Sequence, residues 1–149
     1  MVDAMDEDSM WDGFAGAVVR LAFPDGTRLL EPRSGGDVGE FPFGAPVHIV
    51  TAYNPAGIEI DEQANIDRHR RLGDAVAGFS TVATVGSAPD GSMPEPGFAL
   101  QEVELSEALD LAREFGQRAI YRWTPDELAV IGVDELRHRR LGWSLTELR

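Results

Sequence analysis

Turn formers cut this chain into segments too short for anything but a fold of small elements. Pro24-Asp25-Gly26, Asn54-Pro55, Pro89-Asp90-Gly91 and Pro125-Asp126 each close one regular segment and open the next. Proline fixes φ and has no N–H to donate, Asp and Asn hydrogen-bond their own backbone, and Gly accepts a left-handed φ. Most of the apolar runs between these breaks are rich in β-branched and aromatic residues and read as strands.

In chain order, "AGAVVRLAFPDGTRLLEP" predicts a β-hairpin and "RSGGDVGEFPFGAP" (33–46) a loop. "VHIVTAYNP", apolar on both faces, predicts a central strand that stops at Asn54-Pro55. "DEQANIDRHRRLGDAVAG" predicts a helix, with acids first and bases later as the helix dipole favours, and Gly78 at its exit. "FSTVATVGS" and "PGFALQEVEL" predict two strands around the turn "APDGS". A second helix follows with Ser106 as N-cap, and Ala108, Leu111, Ala112 and Phe115 fall at i, i+3, i+4, i+7 as a core stripe. "RAIYRW" and "LAVIGV" predict a strand pair about "TPDE", and "DELRHRRLGWSLTELR" a short helix or a turn-rich tail. From residue 47 the order is strand, helix, strand, strand, helix, strand. It predicts the fold class α+β: a ferredoxin-like βαββαβ core (residues 47–124) with an N-terminal β-hairpin and a C-terminal extension.

A chain of 149 residues suits one α+β domain over 14–149, after an acidic flexible tail at 1–13 in which Asp3, Asp6, Glu7, Asp8 and Asp12 meet no basic residue. Cysteine is absent, which excludes disulfides and thiolate chemistry and suits a cytoplasmic location. No apolar run approaches the ~20 residues of a membrane span, and no basic leader opens a signal peptide. A formal net charge of −13 repels phosphate backbones, so neither nucleic acid nor membrane is expected as a partner.

The common catalytic signatures are missing: no P-loop, no dinucleotide-binding Gly loop and no G-x-S-x-G elbow. His48, His69 and His138 have no metal-ligand spacing, so neither a metal nor a cofactor is expected. More informative are polar residues where core is expected. Asn65, His69, Leu72 and Val76 share one helix face, apolar in its later half. Asn54 ends the preceding strand, Glu95 sits between Pro94 and Pro96, and Gln117 follows Gly116 at a helix-to-strand corner. Strand ends that meet helix starts gather side chains and free N–H groups. Each residue also has a structural reading. Asn54 and Asn65 can bond their own turns and loops, Gln117 can brace its corner, and Glu95 can be a surface ion-pair partner. Tyr53 and Tyr121 read as core rings with solvent-reaching hydroxyls.

"TAYNP", then Asn65, Arg68 and Leu72 in "N..R...L", then "PDG…PEPGFAL" and "EAL.LAREFGQRAIYRW" resemble the pattern of the bacterial domain-of-unknown-function family numbered 3293, over about residues 47–124. The resemblance implies that Asn54, Asn65, Glu95 and Gln117 occupy the family's recurring polar positions. It implies a fold unit and a polar cluster but no reaction, and His69 lies outside the pattern.

Amides and Arg recognise polar groups well but are poor bases and nucleophiles. The expected function is therefore a small soluble, non-enzymatic binding or regulatory module, whose Asn54, Asn65, Arg68, Glu95 and Gln117 recognise a small polar ligand or a protein partner. The alternative is a small enzyme with Glu95 as general acid/base. Asn54, Asn65 or Gln117 would then stabilise an oxyanion and His69 would shuttle a proton. A structural or assembly role is the third reading. The hexapeptide RHRRLG occurs twice, at 68–73 and 137–142, with no similarity around it. Only its first Arg, Arg68, lies beside the Asn65 position. Arg70 and Arg71 are expected to be solvated, paired with Asp67 or Asp74.

Overall fold

The computed structural model describes residues 7–134 and 137–148. Its strands are β1 (Val18–Phe23), β2 (Gly26–Arg33), β3 (Val47–Thr51), β4 (Ser80–Ser87), β5 (Glu95–Gln101), β6 (Ala119–Trp123), β7 (Leu128–Gly132) and β8 (His138–Glu147). Its helices are α1 (Glu7–Gly16), α2 (Glu62–Ala75) and α3 (Leu105–Glu114). The strands run β1-β2-β8-β7-β6-β3-β5-β4, every neighbouring pair is antiparallel, and β4 returns to β1. The sheet is a closed eight-stranded barrel.

This overturns the α+β, ferredoxin-like expectation. The element order foreseen over 47–124 is present as β3-α2-β4-β5-α3-β6, but its sheet does not end at β4 and β6. Residues 18–21 pair with 84–87 beyond β4, and 128–132 pair with 119–123 beyond β6. The N-terminal hairpin supplies two staves of the barrel. The segment foreseen as a short helix or tail is β8, which joins β7 along 138–141 and β2 along 142–147. Its apolar residues Leu141, Trp143 and Leu145 recur at period two, the period of a strand with one buried face.

Strand alternation sorts the core into an inside and an outside. Val19, Leu21, Leu30, Val47, Ile49, Val82, Ala99, Trp123, Leu128 and Trp143 fill the barrel. Phe41 and Phe43, from the 33–46 segment that is irregular as expected, plug one mouth, with Phe41 5.2 Å from the Trp123 ring. A Cβ on Gly142 would collide with Asp37, whose carbonyl accepts the Trp143 N–H at 2.7 Å, so the plug is strapped to β8 by close backbone approach. At the opposite mouth α1 buries Met10 and Trp11 against Val130, with Phe14, Ala119 and Tyr121 around them. The helix forms at this point because Met10 and Trp11 are two large apolar side chains worth covering. Residues 1–6 lie outside the described residues.

On the outer surface, α2 and α3 press Leu72, Val76, Ala108, Leu109, Ala112 and Phe115 onto Val50, Leu100, Ile120, Ala129 and Ile131. The N-cap of α3 is Glu104, so Ser106 lies inside the first turn instead of capping it. No described helix is long and apolar enough to cross a membrane.

Candidate functional site

β3 leaves the ladder after Thr51, and side chains from other elements take over its hydrogen bonding. Arg68 of α2 donates from Nε to Ala52 O at 2.7 Å and from Nη2 to Phe115 O. Gln117 donates from Nε2 to Tyr53 O at 3.0 Å and more weakly to Phe115 O at 3.5 Å. Asn65 Oδ1 accepts the Asn54 N–H at 2.9 Å, and Asn65 Nδ2 donates to Asn54 Oδ1 at 2.9 Å. Asn54 Oδ1 also accepts the Ile60 N–H at 3.4 Å, while its Nδ2 donates to Glu95 Oε2 at 3.1 Å. Asn54, Asn65 and Glu95 are linked side chain to side chain, and Arg68 and Gln117 clamp the same three-residue exit.

The local sequence explains how this corner forms. Asn54 is left-handed (φ 48, ψ 67), a conformation Asn tolerates, and a 3-10 turn over Pro55–Gly57 leads on toward α2. Asp61 opens α2 by accepting the Ala64 N–H at 3.0 Å. The corner between α3 and β6 docks alongside, with the Ala56 N–H bonded to Gly116 O at 2.8 Å. Gly116 (φ +69) fits there because a Cβ would stand 3.1 Å from Pro55 Cβ.

Glu95 sits on the face of β5 that carries Ala99, so it points toward the α1 mouth of the barrel. Burial raises its carboxyl pKa, and the Asn54 hydrogen bond opposes that rise. Burial first, and the Glu95 charge second, raise the Tyr121 hydroxyl, which donates to Phe14 O at 2.7 Å. One N–H of each Asn amide is engaged, that of Asn54 to Glu95 and that of Asn65 to Asn54, while the Gln117 amide donates to Tyr53 O and Phe115 O. Among the described residues no hydrogen bond reaches Glu95 Oε1 or Gln117 Oε1, so the unused capacity of the cluster includes two acceptors. His69 is not a partner of Glu95; its ring stacks on Phe98 at 5.0 Å and 4°. Among the described residues no group of three or more His, Cys, Asp or Glu could hold a metal ion.

A second polar site lies on the outer face of the barrel and escaped the sequence reasoning. A groove of ≈ 600 Å³ is lined by His48, Arg122, Glu102, Glu104, Glu127 and Arg140, among others. In the sequence His48 carries no metal-ligand spacing, and Arg122 falls in no catalytic signature. The available signal was a polar ring inside "VHIV", a run otherwise apolar on both faces.

No curated protein and no solved structure matches this chain. A family model matches residues 50–120, a span that holds Asn54, Asn65, Arg68, Glu95 and Gln117 but neither His48 nor Arg122. The model is that of the family described as Protein of unknown function (DUF3293), and the match supports the resemblance seen in the sequence.

Proposed function

We propose that this protein is a non-enzymatic binding module in which Glu95 receives a hydrogen-bond donor, preferentially a cationic one, from a small polar ligand. The observation that carries this reading is the half-buried Glu95 carboxylate, held through Oε2 by Asn54 with Oε1 left to accept. Asn54 is itself fixed by Asn65, and Arg68 and Gln117 fix the backbone on which it stands, so little side-chain freedom is lost on binding. His69, the proton shuttle of the general acid/base alternative, stacks on Phe98 away from Glu95, which supports recognition over that alternative.

The test is a thermal-shift screen of small amines and amides, followed by calorimetry on wild type and Glu95→Gln. A ligand that binds only the native state raises the melting temperature, and Glu95→Gln, which keeps the shape and removes the charge, abolishes that rise. Ligands that bind Glu95→Gln as tightly as wild type would move the site elsewhere. Turnover of a hit, lost in Glu95→Gln, would replace the module with the enzyme.

A further inference from the structure

The groove on the outer face is built by strand register. His48 stands opposite Leu100 on one side and Arg122 on the other, Arg122 opposite Ala129, and Ala129 opposite Arg140. Directly opposed residues of antiparallel strands share a face, so these side chains form one row across five strands. Ala129 is the low point of the row between two guanidinium side chains, and the groove of ≈ 600 Å³ opens over it. Glu102 and Glu104, at the entry to α3, and Glu127, before β7, bound the same groove.

The most telling members of the row are its buried polar atoms. His48 is 2% exposed, and among the described residues neither ring nitrogen has a hydrogen-bond partner. The adjacent Arg122 Nε is also buried and has no partner among them. Buried polar groups are normally satisfied because leaving them unpaired costs free energy. Two neighbouring orphans that line one groove point to a ligand that bonds both. Burial first, and the Arg122 charge second, pull the His48 pKa down to about 4, so near neutral pH its ring is uncharged and carries one N–H. Together with the Arg122 Nε–H this presents two donors, a fit for a carboxylate. The N-terminus of α3 adds a favourable dipole, and Glu104 makes no side-chain cap to it.

The other wall is acidic. Among the described residues, Glu102, Glu104 and Glu127 share the groove with Arg122, Arg140 and His138, and Arg140 Nε already lies 3.5 Å from Glu127 Oε2. A simple anion would be repelled by that wall, whereas a molecule with a carboxylate and an ammonium suits both. Glu102 also adopts φ 58, a left-handed conformation uncommon for a residue other than Gly, Asn or Asp, as residues at ligand sites often do.

We propose that this groove binds a free amino acid, its carboxylate on His48 and Arg122 and its ammonium toward Glu102 and Glu104. The site is separate from the Glu95 cluster, and the proposal does not rest on the function assigned to that cluster.

The experiment titrates the full chain with natural amino acids, with their N-acetyl and C-terminal amide derivatives, and with inorganic phosphate. Binding is read from the imidazole resonances of His48 and by calorimetry. Free amino acids are expected to move the His48 signals, and removing either charge is expected to weaken binding at least about tenfold, ~1.4 kcal/mol. Arg122→Gln is expected to weaken binding by a similar factor and Glu102→Gln, on the exposed lip, by several-fold. Glu102→Gln keeps the test usable should Arg122→Gln fail to fold. N-acetyl derivatives or phosphate binding as tightly as the amino acid would overturn the zwitterion in favour of a plain anion. No movement of the His48 signals at millimolar amino acid would overturn the site.

Discussion

Asn54 and Asn65 hold each other by two hydrogen bonds of 2.9 Å, one to a backbone N–H and one between side chains. The pair ties the exit of β3 to the first turns of α2. Asn65 is 3% exposed, so water is poorly placed to replace it. Asn65→Ala leaves two polar groups of Asn54 short of a partner and is expected to cost about 2–3 kcal/mol. Urea denaturation reads this as a lower midpoint at unchanged slope. A change under about 0.5 kcal/mol, the range of ordinary surface substitutions, would show that the pair contributes little.

Arg68 bridges Ala52 O and Phe115 O with one planar guanidinium, a geometry that a Lys ammonium cannot reproduce. Arg68→Lys is expected to lose about 1–2 kcal/mol, close to one or two net hydrogen bonds. Arg70, which reaches only the exposed Asp67 at 3.1 Å, serves as the control. Arg70→Lys should change stability by less than about 0.5 kcal/mol. Equal effects from the two substitutions would deny Arg68 its clamping role.

His48 makes stability depend on pH with a definite sign. Its pKa is about 4 when folded against 6.5 for an unperturbed imidazole, so between these limits the unfolded chain binds more protons. Stability from this group is full above pH 6.5 and falls as pH drops toward 4, by up to ~1.4 kcal/mol per unit. Glu95 works in the opposite sense: its raised pKa means that acidification relieves a cost. Arg122 and Arg140, the carboxylates of Glu102, Glu104 and Glu127, and His138 line the same groove as His48. Comparing wild type with His48→Gln isolates the imidazole. Coincident stability slopes over this range would remove it as the source.

Glycines at two close approaches should resist substitution. A Cβ on Gly97 would run into Val50 O across the β3–β5 pair, and one on Gly142 into the backbone of Asp37. Gly97→Ala and Gly142→Ala are each expected to cost about 2–4 kcal/mol through forced backbone movement. Gly13, in α1 with nothing within 4 Å of its Cβ position, should behave the other way. Gly13→Ala is expected to stabilise by about 0.5–1 kcal/mol through helix propensity. Thermal denaturation of the three variants checks both signs.

The clearest test of what the sequence discloses is RHRRLG. Over 68–73 it is helical, and over 138–142 the same letters are extended. Leu72 is fully buried under α2, whereas Leu141 pairs with Leu128 along β7. The surrounding residues decide, so the second copy concealed β8 behind a helix-compatible pattern. The hairpin, the central strands, α2 and α3 were legible because turn formers and apolar periods mark them locally. Closure was not legible: it depends on β1 meeting β4 and β2 meeting β8, pairings between distant segments that no short pattern encodes. Asn54 and Asn65 stood out as polar residues on core-facing positions. Arg122 did not, since its meaning comes from lying opposite His48, a matter of register.

A ring of paired strands has no rim along which another strand could be added. The matched family span, 50–120, holds β4 and β5 whole but only the end of β3 and the start of β6. A sheet of β3, β4, β5 and β6 alone would expose the outer backbone of β4 and of β6, each a row of unpaired donors and acceptors ready to zip onto another chain. Here β1, β2, β8 and β7 occupy those two flanks. A chain that kept only β3, β4, β5 and β6 would need other cover on those two flanks, from another part of itself or from a second copy, to escape open-ended pairing.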